Sequence, residues 1–445
     1  MKKVEMTSGS LWKNILLFSL PLMMTQVLEV LFNLSDVAIA GKYAYNTYIA
    51  LGAVGSTTTL VSLFTGLLIG MGAGVNVAVA RWLGIGDDES VERTTHTSLL
   101  LCLGTGLLVC LICLFFAEPM LRLLNTKEEF LPGAVLYMRI YALGLPGMGI
   151  YNCGNGILSA TGDTKRPLIY LSVAGVLNVI LNLVFVIGCN MSAEGVAIAS
   201  AIAQWVSAVL IFVHLLRRQD ACRLDMRKLR LHKAAAKRIL MIGIPSGLQN
   251  AIFAVANLFV QAGLNSFDEI TVSGAAAAAN ADTLVFNMMA AFYTACASFV
   301  SRNWGAGKID RVHQGVKASA LLGTVYSFVA LAALYFSAAT LAGLFLDSKD
   351  LDAAAEILPL ARRMLLCNAA FYIPLLGVNL VRFTIQGLGY SGLATIAGVF
   401  ETVARGVFAL CLVPHLGFDA VCFANPAAWV MADLFLIPAY FVCLK

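Results

Sequence analysis

The chain has 445 residues, of which 60% are hydrophobic and only 12% are charged, and its mean hydropathy is +0.83. A water-soluble chain of this length needs more polar surface than these residues supply, so the composition excludes a soluble protein. The net charge of +5 comes from loops and does not indicate a nucleic-acid partner. We therefore expect the lipid bilayer as the surroundings of this chain.

Long apolar blocks predict that the chain crosses the membrane as helices. Leu99–Phe116, Leu168–Gly188 and Ala318–Phe336 carry almost no charge, and about 20 apolar residues suffice for one helical span. The alternating segments of about ten residues that build a membrane barrel are missing from the sequence. The fold class we predict is all-α, a polytopic protein of twelve transmembrane helices. In chain order they lie at approximately 14–41, 48–80, 95–117, 132–158, 166–188, 193–216, 238–265, 272–300, 314–337, 356–386, 391–413 and 419–444.

The first span is expected to be a retained helix, because the apolar run Ile15–Gly41 is long and carries acids. The eleven cysteines lie mostly inside apolar runs and predict neither a disulfide framework nor a zinc site. We expect no cofactor, and no metal apart from a coupling Na⁺. The second span holds Gly66, Gly70 and Gly74 at a spacing of four, which is typical of close helix packing.

Charges in the loops predict the orientation of the chain. The segment Arg217–Arg238 is strongly basic, and Lys165–Arg166 and Arg302–Lys317 are basic too, whereas Glu128–Glu129 and Asp268–Glu269 are acidic. Because basic loops stay on the cytoplasmic side, we predict a multi-pass protein of the cell membrane with both termini in the cytoplasm. An even number of helices agrees with that placement.

The basic segment divides the chain into two similar halves. Pro21 aligns with Pro245 in "FSLPLMMTQVLEVLFNL" and "IGIPSGLQNAIFAVANL", and "ARWLGIG" resembles "SRNWGAG" at offsets of about 221 to 225 residues. We predict an N-terminal lobe at 1–216, a basic linker at 217–237 and a C-terminal lobe at 238–445. Six helices in each lobe give a parallel pseudo-two-fold repeat. Pro21 and Pro245 are expected hinges, because each removes a backbone donor from its helix.

Polar residues in the first span predict a functional face. Gln26, Glu29, Asn33 and Asp36 follow spacings of three, four and three, which places them on one side of a helix. An acid in a membrane helix costs at least about 2.5–3.5 kcal/mol, so Asp36 is expected to bind a cation or a proton. The alternative is that Asp36 only forms a hydrogen bond to a neighbouring helix.

The fifth and sixth spans add candidates to this site. Asn178 and Asn182 share a face, and their amide oxygens suit a hard cation such as Na⁺. The alternatives are that the amides donate to a carboxylate or only form hydrogen bonds between helices. Ser200 offers a hydroxyl. In the repeat, Asp36 corresponds to Val260, so the second lobe lacks that acid.

The second lobe holds its own polar residues. Asn178 and Asn182 correspond to Glu401 and Arg405, which are four apart and expected to form an internal ion pair. Asp282 either lines a substrate cleft together with Asn257 or sits at a wet helix end, and Arg382 is expected at the cytoplasmic interface.

The chain resembles the multidrug and toxic compound extrusion (MATE) family across essentially its full length. The motifs that carry the resemblance are "LPLMMTQVLEVLFNLSDVAIAG", "GMGAGVNVAVARWLGIGD", "GILSATGDTKRPLIYLSVAGVLNVILN" and "EGVAIASAIAQ". The resemblance implies twelve helices in two lobes and export driven by entry of Na⁺ or H⁺. In one branch it implies a cation site at Asp36, Asn178, Asn182 and Ser200. The second helix-five position departs from the pattern, with Asn182 in place of an aspartate.

We therefore predict a secondary active exporter of small cationic amphipathic molecules, an antiporter that exchanges substrate against H⁺ or Na⁺ by alternating access. The alternative is a flippase of a lipid-linked or amphipathic precursor, which would need more helices and a cationic cavity. An enzyme is not expected, because His96, His232, His313 and His415 lie near span ends or in loops. A monomer is expected.

Overall fold

The computed structural model describes residues 6–343 and 353–444, except for the side chains of residues 33 and 34. Over these ranges the chain is helical and contains no strand. The helices are α1 (Leu11–Tyr43), α2 (Thr47–Ile85), α3 (Asp88–Leu123), α4 (Leu131–Ala142), α5 (Leu145–Ala160), α6 (Lys165–Asn182), α7 (Ala193–Leu216), α8 (Lys233–Leu264), α9 (Glu269–Gly305), α10 (Ile309–Gly343), α11 (Ala354–Ala370), α12 (Tyr372–Leu388), α13 (Ser391–Gly406), α14 (Val413–Leu416) and α15 (Phe418–Cys443).

The described helices include ten that are long and apolar enough to cross a membrane, and two further spans are each formed by a bent pair. The pairs are α4 with α5, bent by 44°, and α11 with α12, bent by 54°. Counting each pair once gives twelve spans, which confirms the predicted fold class.

Proline explains why the fourth and tenth spans are broken where the sequence predicted continuous helices. Pro146 and Pro374 have no backbone N–H, so neither can donate to the carbonyl four residues earlier. Those carbonyls belong to Ala142 and Ala370, which are the last residues of α4 and α11. Each helix therefore ends where its next backbone hydrogen bond has no donor.

The fifth and eleventh spans each contain a π-helical segment. Helix α6 continues into Leu183–Gly188 and α13 into Val407–Leu412, so the two segments begin 224 positions apart (407 − 183). A π-turn widens the helix and redirects the side chains around it, and such turns are frequent at functional sites. In the first half the segment begins directly after Asn182 of the pair Asn178 and Asn182, and in the second it begins two residues after Arg405 of the pair Glu401 and Arg405.

The chain packs as two compact units. Of the described residues, the first comprises 6–9, Leu20–Asn250 and Ser301–Lys308, and the second comprises Ser10–Ser19, Ala251–Val300, 309–343 and 353–444. The predicted linker packs on the first unit, where the backbone N–H of Asp225 donates to His96 Nε2 at 2.9 Å. The lobe boundaries at 217–237 remain a prediction.

Glycines allow the helices of the first unit to approach closely. A Cβ added to Gly156 of α5 would lie 2.5 Å from the carbonyl oxygen of Gly72 in α2. On another face of α2, a Cβ at Gly70 would lie 2.3 Å from the Gly247 backbone nitrogen, and one at Gly74 would lie 2.6 Å from the Ile239 oxygen. The close packing predicted from the spacing of these glycines is therefore present.

Candidate functional site

The first unit brings Asp36, Asn178, Asn182 and Ser200 together. Asn182 Nδ2 donates to Asp36 Oδ1 at 2.5 Å, and Ser200 Oγ donates to Asp36 Oδ2 at 3.2 Å. Asn178 Nδ2 donates to Ser200 Oγ at 3.2 Å, while Asn178 Oδ1 accepts from Asn182 Nδ2 at 3.3 Å. The carboxylate on α1 thus meets two amides on α6 and one hydroxyl on α7.

One oxygen of this site has no partner. Asn178, Asn182 and Ser200 are buried, with 3%, 0% and 7% of their surface exposed. Asn182 Oδ1 has no hydrogen-bond partner among the described residues. A buried acceptor without a partner costs about 1–3 kcal/mol, so this site gains stability when a further group satisfies it.

The oxygen atoms at the site suit Na⁺ or a proton. Carboxylate, amide and hydroxyl oxygens are ligands that hard cations prefer, and Asp36, Asn178, Asn182 and Ser200 supply them. Protonation offers another solution, because a protonated Asp36 donates a hydrogen bond that Asn182 Oδ1 accepts once its amide rotates. No group of three or more His, Cys, Asp or Glu side chains among the described residues could hold a metal ion.

The carboxylate of Asp36 lines a cavity of about 390 Å³ within the first unit. Glu29 lines it too, and Gln26 Nε2 donates to Glu29 Oε2 at 3.0 Å. The remaining lining is largely aromatic or apolar and includes Phe32, Tyr137, Tyr141, Met148 and Tyr151. The predicted polar face of α1 is therefore directed, at Glu29 and Asp36, into one cavity; the side chain of Asn33 lies outside the described part.

Pro21 and Pro245 lie inside α1 and α8. Thr25 Oγ donates to the carbonyl oxygen of Pro21 at 2.9 Å. The role of both prolines as hinges remains a prediction.

Asp282 of α9 binds both helices of the broken tenth span. Tyr372 Oη donates to Asp282 Oδ1 at 2.7 Å, and Asn368 Nδ2 donates to Asp282 Oδ2 at 3.1 Å. Asn368 lies in the last turn of α11 and Tyr372 begins α12, so one carboxylate joins the two sides of the bend. Asn257, the other predicted cleft residue, is exposed on α8.

Glu401 has a second arginine partner that the sequence did not reveal. Arg405 Nη2 lies 3.8 Å from Glu401 Oε2, and Arg382 of α12 contacts Glu401 Oε1. Arg382 is only 2% exposed, so it is buried among the helices of the second unit, and its expected depth at the cytoplasmic interface remains a prediction. A buried carboxylate attracts it, because a guanidinium can leave water at low cost only beside an opposite charge.

Asp433 and three tyrosines of the cavity were not identified as candidate site residues from the sequence. Asp433 is an isolated acid inside the span α15, and the rule that singled out Asp282 would have found it. A Cβ at Gly377 would lie 2.6 Å from Asp433 Oδ2, so the absent side chain leaves room for the carboxylate. Tyr137, Tyr141 and Tyr151 carried no signal, because tyrosines in a span look like ordinary filling residues.

Comparison with known proteins matches both halves of the chain. The family model MatE matches residues 21–184 and again residues 245–410. The curated relatives include the probable multidrug resistance protein YpnP of Bacillus subtilis, which is 26% identical over 86% of this chain and 83% of its own length. The FAD transporter of Shewanella oneidensis is 26% identical over 76% of this chain and 75% of its own length. The multidrug export protein MepA of Staphylococcus aureus is 22% identical over 87% of this chain and 85% of its own length.

Solved structures share the fold. The outward-facing conformation of a multidrug resistance MATE family transporter of the MOP superfamily superimposes with a TM-score of 0.91 at 22% identity, covering 100% of this chain and 98% of the other. A MOP superfamily transporter from Pyrococcus furiosus superimposes with a TM-score of 0.90 at 22% identity, covering 100% of this chain and 99% of the other.

Proposed function

The chain belongs to the MATE family of membrane transporters, and on that premise we propose that it exports small cationic amphipathic molecules in exchange for H⁺ or Na⁺. The observation that carries the proposal is the buried set of oxygen atoms around Asp36, which opens on a cavity of about 390 Å³. Transport occurs without catalysis.

The lining of the cavity supports a cationic, partly aromatic substrate. Glu29 and Asp36 supply negative charge, while Phe32, Tyr141 and Tyr151 supply aromatic surface. An organic cation gains both from the carboxylates and from the faces of aromatic rings. A volume of about 390 Å³ falls in the range of small-molecule sites, about 300–1,000 Å³.

A shared carboxylate couples export to cation entry. A proton or Na⁺ on Asp36 removes the negative charge that attracts a cationic substrate, so the two ligands bind in competition. Such competition is reciprocal, because a substrate that weakens the binding of the cation is weakened by it equally. Binding of the cation therefore expels the substrate, and binding of the next substrate expels the cation.

The basic loops support an orientation with both termini in the cytoplasm. Substrate then moves outward across the cell membrane as the coupling cation moves inward. A single chain contains the whole site around Asp36, and we propose that the monomer is the transporting unit.

Gradient-driven transport in proteoliposomes tests the proposal. Purified protein is reconstituted, and a panel of organic cations and size-matched anions is offered under an imposed pH gradient and, separately, under an imposed Na⁺ gradient. We expect concentrative movement of the organic cations under at least one gradient, and none in liposomes without protein. Movement of anions only, or movement that ignores both gradients, would contradict the proposal.

A further inference from the structure

We infer that the second unit contains a copy of the Asp36 site in which guanidinium groups permanently occupy the place of the mobile cation. The inference rests on the proposed function of the Asp36 site and extends it to stoichiometry. The protein then couples export to a single cation site, in the first unit, although its fold contains that site twice.

The two sites occupy matching positions in the repeat. Helix α7 begins at Ala193 and α15 at Phe418, 225 positions later (418 − 193), which pairs Ser200 with Asn425. On α6 and α13 the π-segments begin 224 positions apart, whereas the sequence alignment uses 223.

Burial decides the register on α13. At an offset of 223, Asn178 and Asn182 correspond to Glu401 and Arg405, which are 2% and 8% exposed. At 224 they would correspond to Thr402 and Gly406, which are only half-buried. The buried positions of α6 match the buried positions of α13, so the offset of 223 is the correct one here.

The contact between neighbouring helices is repeated with different chemistry. In the first unit Asn178 Nδ2 donates to Ser200 Oγ at 3.2 Å, across α6 and α7. In the second unit Arg405 Nε donates to Asn425 Oδ1 at 3.0 Å, across α13 and α15. Arg405 corresponds to Asn182 rather than to Asn178, so the second unit makes the contact between the two helices from the other member of the polar pair, with a guanidinium in place of an amide.

The acid has also moved, and its partners have changed. Asp36 corresponds to the apolar Val260, while Glu401 supplies a carboxylate from α13 itself. Asp36 accepts hydrogen bonds from neutral amide and hydroxyl groups, whereas Glu401 contacts the guanidiniums of Arg382 and Arg405. Arginine stays charged at any accessible pH, so Glu401 is compensated without a cation from solution.

The surroundings hold these guanidiniums in place. Both lie over the ring of Phe253, with the Cζ atoms of Arg382 and Arg405 at 5.2 and 5.9 Å from its centroid. Their combined charge exceeds that of Glu401 by one, and Asp282 of α9 and Asp433 of α15 supply further carboxylates that interact with Arg405 and Arg382. This network holds two guanidinium groups at the position where the first unit has carboxylate, amide and hydroxyl oxygens that can bind a cation.

Removing the built-in cations should convert the second site into a cation-binding site. The variant D36N/R382Q/R405Q carries Asp36→Asn so that the first site cannot respond to cations. Glu401 is then buried without its guanidiniums, and its carboxylate must take up a proton or Na⁺. The measurement is the midpoint of thermal unfolding in detergent, at pH 8 and pH 6, with and without Na⁺. We expect the midpoint of D36N/R382Q/R405Q to rise by about 2 °C or more when the pH falls from 8 to 6 or when Na⁺ is added, whereas the midpoint of D36N alone should not show that rise. The matched control D36N/R382Q/R405Q/E401Q should lose that gain.

Two results would overturn the inference. A folded D36N/R382Q/R405Q protein whose midpoint responds to pH and Na⁺ as D36N does would show that the guanidiniums do not stand in for a cation. The second measurement uses the unmodified protein, so it does not require that variant to fold. It counts the Na⁺ ions bound per chain, by equilibrium binding of ²²Na⁺, or the protons released per chain. A single cation per chain supports the inference, and two per chain would contradict it.

The design separates this inference from the proposed function. If the Asp36 site binds a cation, the unfolding midpoint of the unmodified protein should change with pH or Na⁺, and Asp36→Asn should abolish that change. If the unmodified protein shows no such change, the Asp36 site fails as a cation site. The comparison between D36N and D36N/R382Q/R405Q still reports on Glu401 alone.

Discussion

The three charges at the second site predict a strict order of stability losses. Glu401→Gln leaves two buried guanidiniums without their shared carboxylate. Arg382→Gln leaves Glu401 with Arg405, whose Nη2 lies 3.8 Å from Oε2. Arg405→Gln leaves the contact between Arg382 and Glu401 intact. The expected order of destabilisation is therefore Glu401→Gln, then Arg382→Gln, then Arg405→Gln.

The magnitude follows from the burial of the pair. Breaking a buried ion pair costs about 3–5 kcal/mol, and Glu401→Gln should fall in that range. Arg382→Gln should cost roughly half as much, because one guanidinium still faces Glu401. For a chain of this size, an unfolding entropy of about 2.1 cal/mol/K per residue converts 4 kcal/mol into about 4 °C of midpoint shift.

Thermal unfolding of the purified proteins in one detergent measures the order. The double variant E401Q/R382Q is the control, because it removes one charge of each sign and should lose less than the two single losses combined. Equal losses in the three single variants, or a simple sum in the double variant, would refute the assignment of Arg382 as the main partner of Glu401.

Three further predictions follow from the loops, the packing and the bent span. In a background without the native cysteines, a cysteine at Arg227 should be labelled only from the cytoplasmic side and one at Asp268 only from outside; external labelling at Arg227 would reverse the proposed orientation. Gly156→Ala should destabilise by about 1–3 kcal/mol, because its Cβ would meet the Gly72 oxygen at 2.5 Å. Gly104→Ala is the matched control, since nothing lies within 4 Å of its Cβ, and equal midpoints would contradict the packing argument. Asp282→Asn should lower stability by about 1–3 kcal/mol, because the amide offers one acceptor where Tyr372 and Asn368 both donate; an unchanged midpoint would show that the carboxylate does not hold the bend.

The sequence predicted the spans because the bilayer imposes both length and composition on them. It missed the breaks before Leu145 and Tyr372, since hydropathy does not report direction. Pro146 and Pro374 carried that information, because a proline without its donor ends the hydrogen-bond ladder at the residue four positions earlier. A proline inside α1 or α8 gives the same signal, however, so the signal alone does not locate a break.

The Asp36 site was predictable to the extent that helical spacing and the repeat define it. Asp36, Asn178 and Asn182 stand out because polar groups are costly in a membrane helix. The partner of Glu401 was not predictable in this way, because Arg382 lies on another helix and spacing within one helix pairs Glu401 only with Arg405. The aromatic lining of the cavity was invisible too, since only the packing shows which tyrosines face it.

The most direct test of the account is transport by Asp36→Asn in proteoliposomes, with Asp433→Asn as the matched control for loss of an acid inside a span. We predict that Asp36→Asn inserts and folds but no longer drives concentrative export under a pH or Na⁺ gradient, while Asp433→Asn still does. Full gradient-driven export by Asp36→Asn, with unchanged dependence on pH and Na⁺, would contradict the account and leave Asp36 as a structural hydrogen-bonding residue.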